Sequence, residues 1–327
     1  MNTLERPGIH PKWSKQWKGI CRNFDKWKNM HETKVIGELE HYIQYGYSPL
    51  YTDDSEAKNP PVAKWECFLV YSLSMYGLMR WYEEEKRGMA GESFDSVLVL
   101  DAFFATYTMQ MIYLYTHAMT PQRFEGQILQ SMDRRKLSFT ALGVIIGCKK
   151  EAFNLARLQL RAYRKHYYRS LEGYHPIYHF MLRLLADYLG EPPLVLTGEP
   201  LAEPIFQRLF DLWREPDADA LLPVCLAACD FHTHRWVSMG EAEFTNEFSD
   251  GRFVYTPIEI LLLFKLRQLI GLPNPVVDHP LMRTSLGVLP EEVAFEPSDL
   301  IKRVRARMMQ DGYNESTISK LYDVEFA

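Results

Sequence analysis

Apolar residues recur every three or four positions along most of the chain, the spacing that places them on one face of an α-helix. The first stripe is Trp13, Trp17, Ile20, Phe24 and Trp27. Apolar and polar residues alternate over no more than five residues anywhere, so strands are not predicted, beyond one small hairpin at most around 244–254. The pattern predicts an all-α fold, built as an irregular array of antiparallel helix pairs.

Proline, glycine and capping residues set the predicted helix ends. Helices are expected over 11–30, 33–45, 60–86, 93–119, 137–148, 149–168, 176–189, 204–214, 217–237, 256–270, 297–309 and 316–322. The neighbours 137–148 and 149–168 could form two helices or one bent helix. The triplet 83–85 consists of three glutamates, which are predicted to form a solvated helix end.

The most apolar stretch is predicted to be a core helix. Residues 102–122 carry no formal charge and are long enough to be considered as a membrane span. They also include threonines, glutamines and a histidine, and the helix 93–119 is apolar on nearly every face. A helix buried at the centre of the N-terminal half is therefore favoured.

The segment 255–290 is the one around which the other helices are expected to be arranged. Thr256 is predicted to cap a helix that has Pro257 at its first position, and Glu259 would complete a capping box. Gly271 would end that helix. The prolines that follow predict an extended segment ending on Leu281 and Met282.

The chain is expected to divide into three parts. Residues 1–30 would form a basic amphipathic helix docked on the body, 31–195 an N-terminal helical subdomain, and 196–327 a C-terminal helical subdomain that shares a continuous core with it. With 47% apolar residues, 327 residues suffice for a large core.

Charge is distributed unevenly. The net charge is −5, but residues 1–30 hold seven Lys and Arg against two acids, so an acidic body carries a basic N-terminus. This balance argues against nucleic acid as a partner, and the basic face of the first helix is predicted to be solvated. The N-terminus has no apolar signal region, and the five cysteines form no CxxC pair, which is typical of reduced thiols in the cytoplasm.

Histidine pairs give the only candidate metal ligands. One pair is spaced four residues apart and the other is an H-x-H, but neither has the glutamate of an H-E-x-x-H motif. A helical metalloenzyme is kept as an alternative, while capping or core histidines are favoured. The candidate ligands are His175, His179, His232 and His234, with Asp187 or Asp230.

No other catalytic or cofactor motif is found. The chain has no G-x-S-x-G, no phosphate-binding loop and no dinucleotide fingerprint. Cys225 and Cys229 lie one helical turn apart in an apolar stretch and are expected to be buried thiols. We therefore expect a non-enzymatic protein without a metal or cofactor.

An acidic segment with interspersed aromatic residues is the predicted partner-binding site. Acids steer a basic partner and aromatic rings supply anchoring area. The alternative, with the rings tucked under an ordinary loop and the acids outside, stays open. The candidate residues are Glu241, Glu243, Glu247, Asp250, Trp236, Phe244 and Phe248.

The C-terminal part resembles a known family. The motifs are YTPIEI at 255–260 leading into a leucine-rich helix, GLP at 271–273, DHPLM at 278–282 and LP at 289–290, with DLW at 211–213 and DFH at 230–232 in similar style. Over roughly the last 130 of 327 residues, the chain resembles the all-helical immunity proteins encoded beside bacterial polymorphic and type VI secretion toxins.

The resemblance implies a cytoplasmic antitoxin that binds one cognate effector and blocks it without catalysis. Many such toxins are nucleases with basic surfaces, which an acidic inhibitor could meet. A helical scaffold for several partners is the remaining alternative.

Overall fold

The computed structural model describes residues 6–47, 61–119, 135–164, 175–194, 203–236, 247–248, 251–291 and 296–324. Within these ranges the protein forms α-helices and 3-10 turns and has no strand, so the all-α prediction is confirmed. The α-helices are α1 (Trp13–Tyr45), α2 (Pro61–Met89), α3 (Ser96–Met119), α4 (Arg135–Ile145), α5 (Lys149–Arg164), α6 (Pro176–Tyr188), α7 (Pro204–Leu212), α8 (Leu222–His232), α9 (Ile258–Leu269), α10 (Asp299–Gln310) and α11 (Glu315–Tyr322).

The first two predicted helices are one. No glycine or proline interrupts the chain near residue 31, and α1 runs for 33 residues. Its apolar stripe continues through Val35, Leu39 and Tyr42, all fully buried. Gly46 ends the helix in the left-handed conformation, with φ of 77° and its N–H donating to the Tyr42 carbonyl.

The apolar stripe of α1 packs on the body of the protein. Trp13 is buried and its indole N–H donates to the Val254 carbonyl at 2.9 Å. Farther along, the Phe24 ring lies 4.6 Å from the Tyr82 ring. The opposite face exposes Lys12, Lys15, Lys18, Arg22 and Lys26.

Helix α3 is the core helix that the sequence predicts. It pairs with α2 and also contacts α4, α10 and α11. Residues Ser96–Thr116 are long and apolar enough to cross a membrane, but 83% of that stretch is buried inside the fold. Its hydrophobicity is therefore explained by packing against other helices.

The acidic triplet near the end of α2 is only partly solvated, contrary to prediction. Helix α2 continues to Met89, and Glu84 and Glu85 are fully buried. Both oxygens of Glu84 accept the Asp95 N–H at 3.2 Å. Glu85 accepts the Thr256 hydroxyl at 3.2 Å. Two of the three acids thus join α2 to other elements.

Helix α9 is a second central element, and its predicted capping box is wrong. The N-cap residue is Pro257, which makes no side-chain cap. Thr256 instead donates to Glu85, and Glu259 pairs with His232, because both face buried partners on other helices. The predicted end is confirmed: Gly271 has φ of 78° and the following N–H returns to the carbonyl of Arg267.

Arg267 attaches the proline-rich segment to the core. Its side chain is fully buried. The guanidinium donates to the carbonyls of Trp213 at 2.7 Å, Glu215 at 2.9 Å and Pro273 at 3.1 Å. These bonds hold the end of α7 against the segment that follows α9.

One other predicted helix differs from the structure in extent. The region 217–237 contains a 3-10 turn at Ala218–Ala220 followed by α8, which ends at His232. Of the two alternatives for the region 137–168, the structure has two helices and not one bent helix: α4 and α5 are separated at Gly147, whose φ is 87°. Described contacts of α3 with α10 and α11, and of α4 with α9, join parts on either side of residue 195. The division at that position stays a prediction.

Candidate partner-binding site

The segment from 236 to 247 is closed at its base. The Arg235 guanidinium lies 2.6 Å from a carboxylate oxygen of Glu247, and the Phe248 N–H donates to the Arg235 carbonyl at 3.0 Å. The ends of this acidic segment are therefore fixed to each other and to the body. Four of the predicted site residues lie outside the described residues: Glu241, Glu243, Phe244 and Asp250.

Glu247 is an internal residue. Its second carboxylate oxygen accepts the Ile177 N–H at 3.2 Å, and its carbonyl accepts the Tyr178 hydroxyl at 2.7 Å. Glu247 thus binds the first turn of α6, whose own N-cap residue, His175, makes no side-chain cap. Burial raises the pKa of Glu247, and the Arg235 ion pair offsets this only in part. The side chain is 2% exposed, so it presents no charge to a partner here.

The two described aromatic candidates have different positions. Phe248 is buried against the ring of His232, with centroids 4.4 Å apart, as expected if the rings lie under the loop. Trp236 is half-buried and its ring lies 5.6 Å from His10 at a near-perpendicular angle. Its indole nitrogen is buried without a hydrogen-bond partner.

Trp236 and Phe248 help to line an open apolar groove of about 580 Å³. The groove lies between α1, α2 and the base of the acidic segment. The described lining residues are Ile20, Asn23, Phe24, Trp27, Leu78, Tyr82, Trp236, Phe248, Gly251 and Val254. That lining contains no carboxylate, imidazole, thiol or amine.

Gly251 is required in the groove wall. Its φ of 89° is in the left-handed region, and a Cβ there would lie 2.6 Å from the Tyr82 hydroxyl. Any other residue at this position would strain the backbone and push Tyr82 from its place. The shape of the groove therefore depends on this glycine.

Several residues of the family-like motifs form two buried polar clusters. Asp230 on α8 accepts two hydrogen bonds from Arg6, at 2.7 and 3.0 Å, and one from His279 at 3.2 Å. Burial by itself raises the pKa of Asp230, but the hydrogen bonds and charges of Arg6 and His279 outweigh it and lower the pKa. Burial lowers the pKa of His279, although Asp230 opposes this.

His232 and Glu259 form the second cluster. One ring nitrogen lies 2.9 Å from the nearer Glu259 oxygen, and the other lies 2.9 Å from the Phe253 carbonyl. Both nitrogens are thus engaged with protein oxygens. His234 instead faces the N-terminal arm, residues 6–12, and lies 2.8 Å from the Gly8 carbonyl.

The metalloenzyme alternative gains no support from the geometry. His175 and His179 are buried, and the Tyr163 ring contacts His179 at 5.7 Å. Asp187 pairs with Arg214 at 2.8 Å. In the part of the chain that the structure describes, no three His, Cys, Asp or Glu side chains are placed to hold a metal ion.

The two cysteines of α8 are buried thiols, as predicted. Both are free and fully buried. Burial raises the pKa of Cys225 to about 12 and that of Cys229 well above its ordinary value. Neither thiol therefore ionises readily near neutral pH.

Sequence reasoning did not associate Arg6, Glu259 and His279 with the DFH motif. The partners are separated along the chain by 224, 27 and 49 residues. The one local indication of these buried contacts was the presence of charged residues inside apolar motifs.

No protein-family model, no curated protein and no solved structure matches this chain significantly.

Proposed function

We propose that this protein is a cytoplasmic immunity protein, which neutralises a cognate bacterial toxin, such as a type VI secretion effector, by stoichiometric occlusion. The observation that carries the proposal is the apolar groove beside the clamped base of the acidic segment. The Arg235–Glu247 ion pair fixes the base of the acidic segment, and the groove offers apolar area next to that base. Acids around an apolar anchor site suit a basic protein partner.

Occlusion is favoured over catalysis by the chemistry of the groove. Its described lining can exclude water and bind apolar side chains, but it supplies no general acid, base or nucleophile with a pKa near neutral. The buried side chains of Asp230, His232, Glu259 and His279 use their polar atoms on internal partners. Both features agree with a binding protein.

The proposal is tested by expressing the protein together with the product of the neighbouring toxin gene. Cells should be protected, and the two proteins should elute as one complex in gel filtration. A neighbouring gene with no toxic product, or a toxin that never enters the complex, would overturn the proposal.

The acidic segment is tested by the double variant Glu241→Ala/Glu243→Ala. We expect weaker toxin binding by about 2 kcal/mol or more, if these acids meet buried cations, at an unchanged melting temperature. The matched control is Asp219→Ala/Glu291→Ala, which removes two exposed acids elsewhere. Equal affinities of the two double variants would exclude the segment from the interface. Glu247 is left unchanged because its burial would confuse binding with folding.

A further inference from the structure

Three arginines follow one side of α5. Arg157, Arg161 and Arg164 are four and three residues apart, which brings their side chains to neighbouring positions on the helix surface. All three are half-buried. The proposed function does not involve this side of α5.

Two of these arginines line a polar cavity of about 360 Å³. The described lining consists of Arg157, Arg161, Glu191, Asp323 and Val324. The cavity therefore lies where α5 meets the end of α6 and the end of α11. Its size falls in the range of small-molecule sites, about 300–1,000 Å³.

The three arginines carry one positive charge more than the two acids beside them, Glu191 and Asp323. Arg164 pairs with Glu191 at 2.8 Å and donates to the Pro192 carbonyl at 2.6 Å, so Glu191 is already neutralised. Arg161 donates one N–H to the backbone carbonyl of Asp323 at 3.2 Å. That contact orients the guanidinium without cancelling its charge.

The cavity also contains unused hydrogen-bond donors. The Nε of Arg161 is buried and has no hydrogen-bond partner. Arg157 makes no ion pair or hydrogen bond with any described residue. A buried donor without an acceptor destabilises the folded protein, so a ligand that supplies acceptors gains free energy on binding.

We propose that this cavity is a binding site for a small oxyanion with the chemistry of phosphate. Two guanidinium groups one helical turn apart present several N–H donors, and a phosphate group accepts such donors in pairs. Carbonyl contacts already orient Arg161 and Arg164, so part of the site is preorganised. Asp323 is the one lining acid without an arginine partner for its carboxylate, and it weakens the site for anions.

The test is a titration of the full-length protein with potassium phosphate against potassium chloride at equal ionic strength and pH 7.5. Isothermal calorimetry gives the affinity, and the melting temperature should rise with phosphate and not with chloride. Arg157→Gln and Arg161→Gln should each weaken phosphate binding about tenfold or more. Asp323→Asn should strengthen it.

The matched control is Arg208→Gln, which removes an exposed arginine of α7 without a described partner. It should leave phosphate binding unchanged. Phosphate binding that is equal in the wild type and in Arg157→Gln/Arg161→Gln would mean an adventitious ion only. An absence of binding to the folded wild type would also overturn the proposal. Ribose 5-phosphate in place of inorganic phosphate shows whether the site takes a free anion or a phosphate monoester.

Discussion

At the scale of single residues, buried polar side chains hold this protein together in ways that their local sequence does not indicate. Glu247 belongs to a predicted partner-binding segment, yet it clamps that segment and binds the start of α6. Glu84 belongs to a predicted solvated triplet, yet it is fully buried. Both acids are therefore expected to affect stability more than surface acids do.

Replacing Glu247 should destabilise the fold strongly. Glu247→Ala removes the carboxylate that lies 2.6 Å from the Arg235 guanidinium and that accepts the Ile177 N–H. Breaking a buried pair in this way costs about 3–5 kcal/mol. Urea denaturation measures the free energy of unfolding. The exposed Glu291→Ala serves as control and should change it by no more than about 0.5 kcal/mol. Similar free energies of unfolding for the two variants would contradict a stabilising role for the Arg235–Glu247 pair.

The pH dependence of stability should reveal Glu84. Burial raises its pKa from 4.5 to about 7, although the Asp95 N–H opposes this. The folded state then binds a proton that the unfolded state releases, so this contribution is present below pH 4.5 and is lost as pH rises through 7. Its full size is on the order of 3 kcal/mol.

Glu84→Gln removes this titration. The wild type should lose more unfolding free energy than Glu84→Gln between pH 5 and pH 8, as measured by urea denaturation at both values. The variant keeps a side chain of the same shape that can still accept from the Asp95 N–H. Parallel pH profiles for the two proteins would show that Glu84 titrates normally.

At the scale of elements, the sequence predicts helices well and predicts their attachments poorly. The stripe from Trp13 to Trp27 predicts the buried face of α1, and Gly46 and Gly271 predict two helix ends, because these signals are local. The start of α9 is different. Thr256 and Glu259 have the spacing of a capping box, but Glu85 and His232 compete for them from other helices.

The start of α9 can therefore be distinguished from an ordinary cap. Asn314 caps α11 locally by accepting the Ser316 N–H at 2.9 Å, so Asn314→Ala should cost about 1 kcal/mol. Glu259→Ala leaves a ring nitrogen of the fully buried His232 without its hydrogen-bond partner and should cost more than that, up to about 3 kcal/mol. Chemical denaturation of both variants tests this order. Equal losses would show that the His232–Glu259 contact stabilises the fold no more than a local helix cap does.

The candidate site was predicted only in outline for the same reason. Its aromatic residues could be recognised, since Trp236 and Phe248 do line the groove. The other wall comes from α1 and α2, more than 150 residues away in the chain. No periodicity or motif in one segment contains information about such a distant neighbour, so the groove could not be foreseen.

At the scale of the whole molecule, the N-terminal arm joins the beginning of the chain to its last third. Arg6 binds Asp230, and the His10 N–H donates to the Thr233 hydroxyl at 2.9 Å. Farther along, the Tyr42 hydroxyl donates to Asp311 at 2.9 Å. The arm and α1 thus bridge α8 and α10.

Removing Arg6 should loosen this connection. Arg6→Ala leaves Asp230 buried with His279 as its remaining side-chain partner, at a cost of roughly 1–3 kcal/mol. Because Arg6 lowers the pKa of Asp230, the unfolding free energy lost in Arg6→Ala should be largest near neutral pH and should become smaller in acid. In limited digestion, trypsin should also cleave Arg6→Ala after Lys12 faster than it cleaves the control Arg208→Gln at the same site. An unchanged cleavage rate and stability would show that the contact contributes little.

The bridge made by α1 has a consequence during synthesis. The ribosome makes the N-terminus first, but Tyr42 meets its partner only 269 residues later. At about 5–20 residues per second, Tyr42 waits roughly 15–50 s for this partner, and the indole of Trp13 waits nearly as long for Val254, which lies 241 residues after it. Over that interval the unfinished chain is a natural client for chaperones that hold apolar segments. Ribosome profiling of chaperone-bound nascent chains should show their release only after the codons for α10 have been translated.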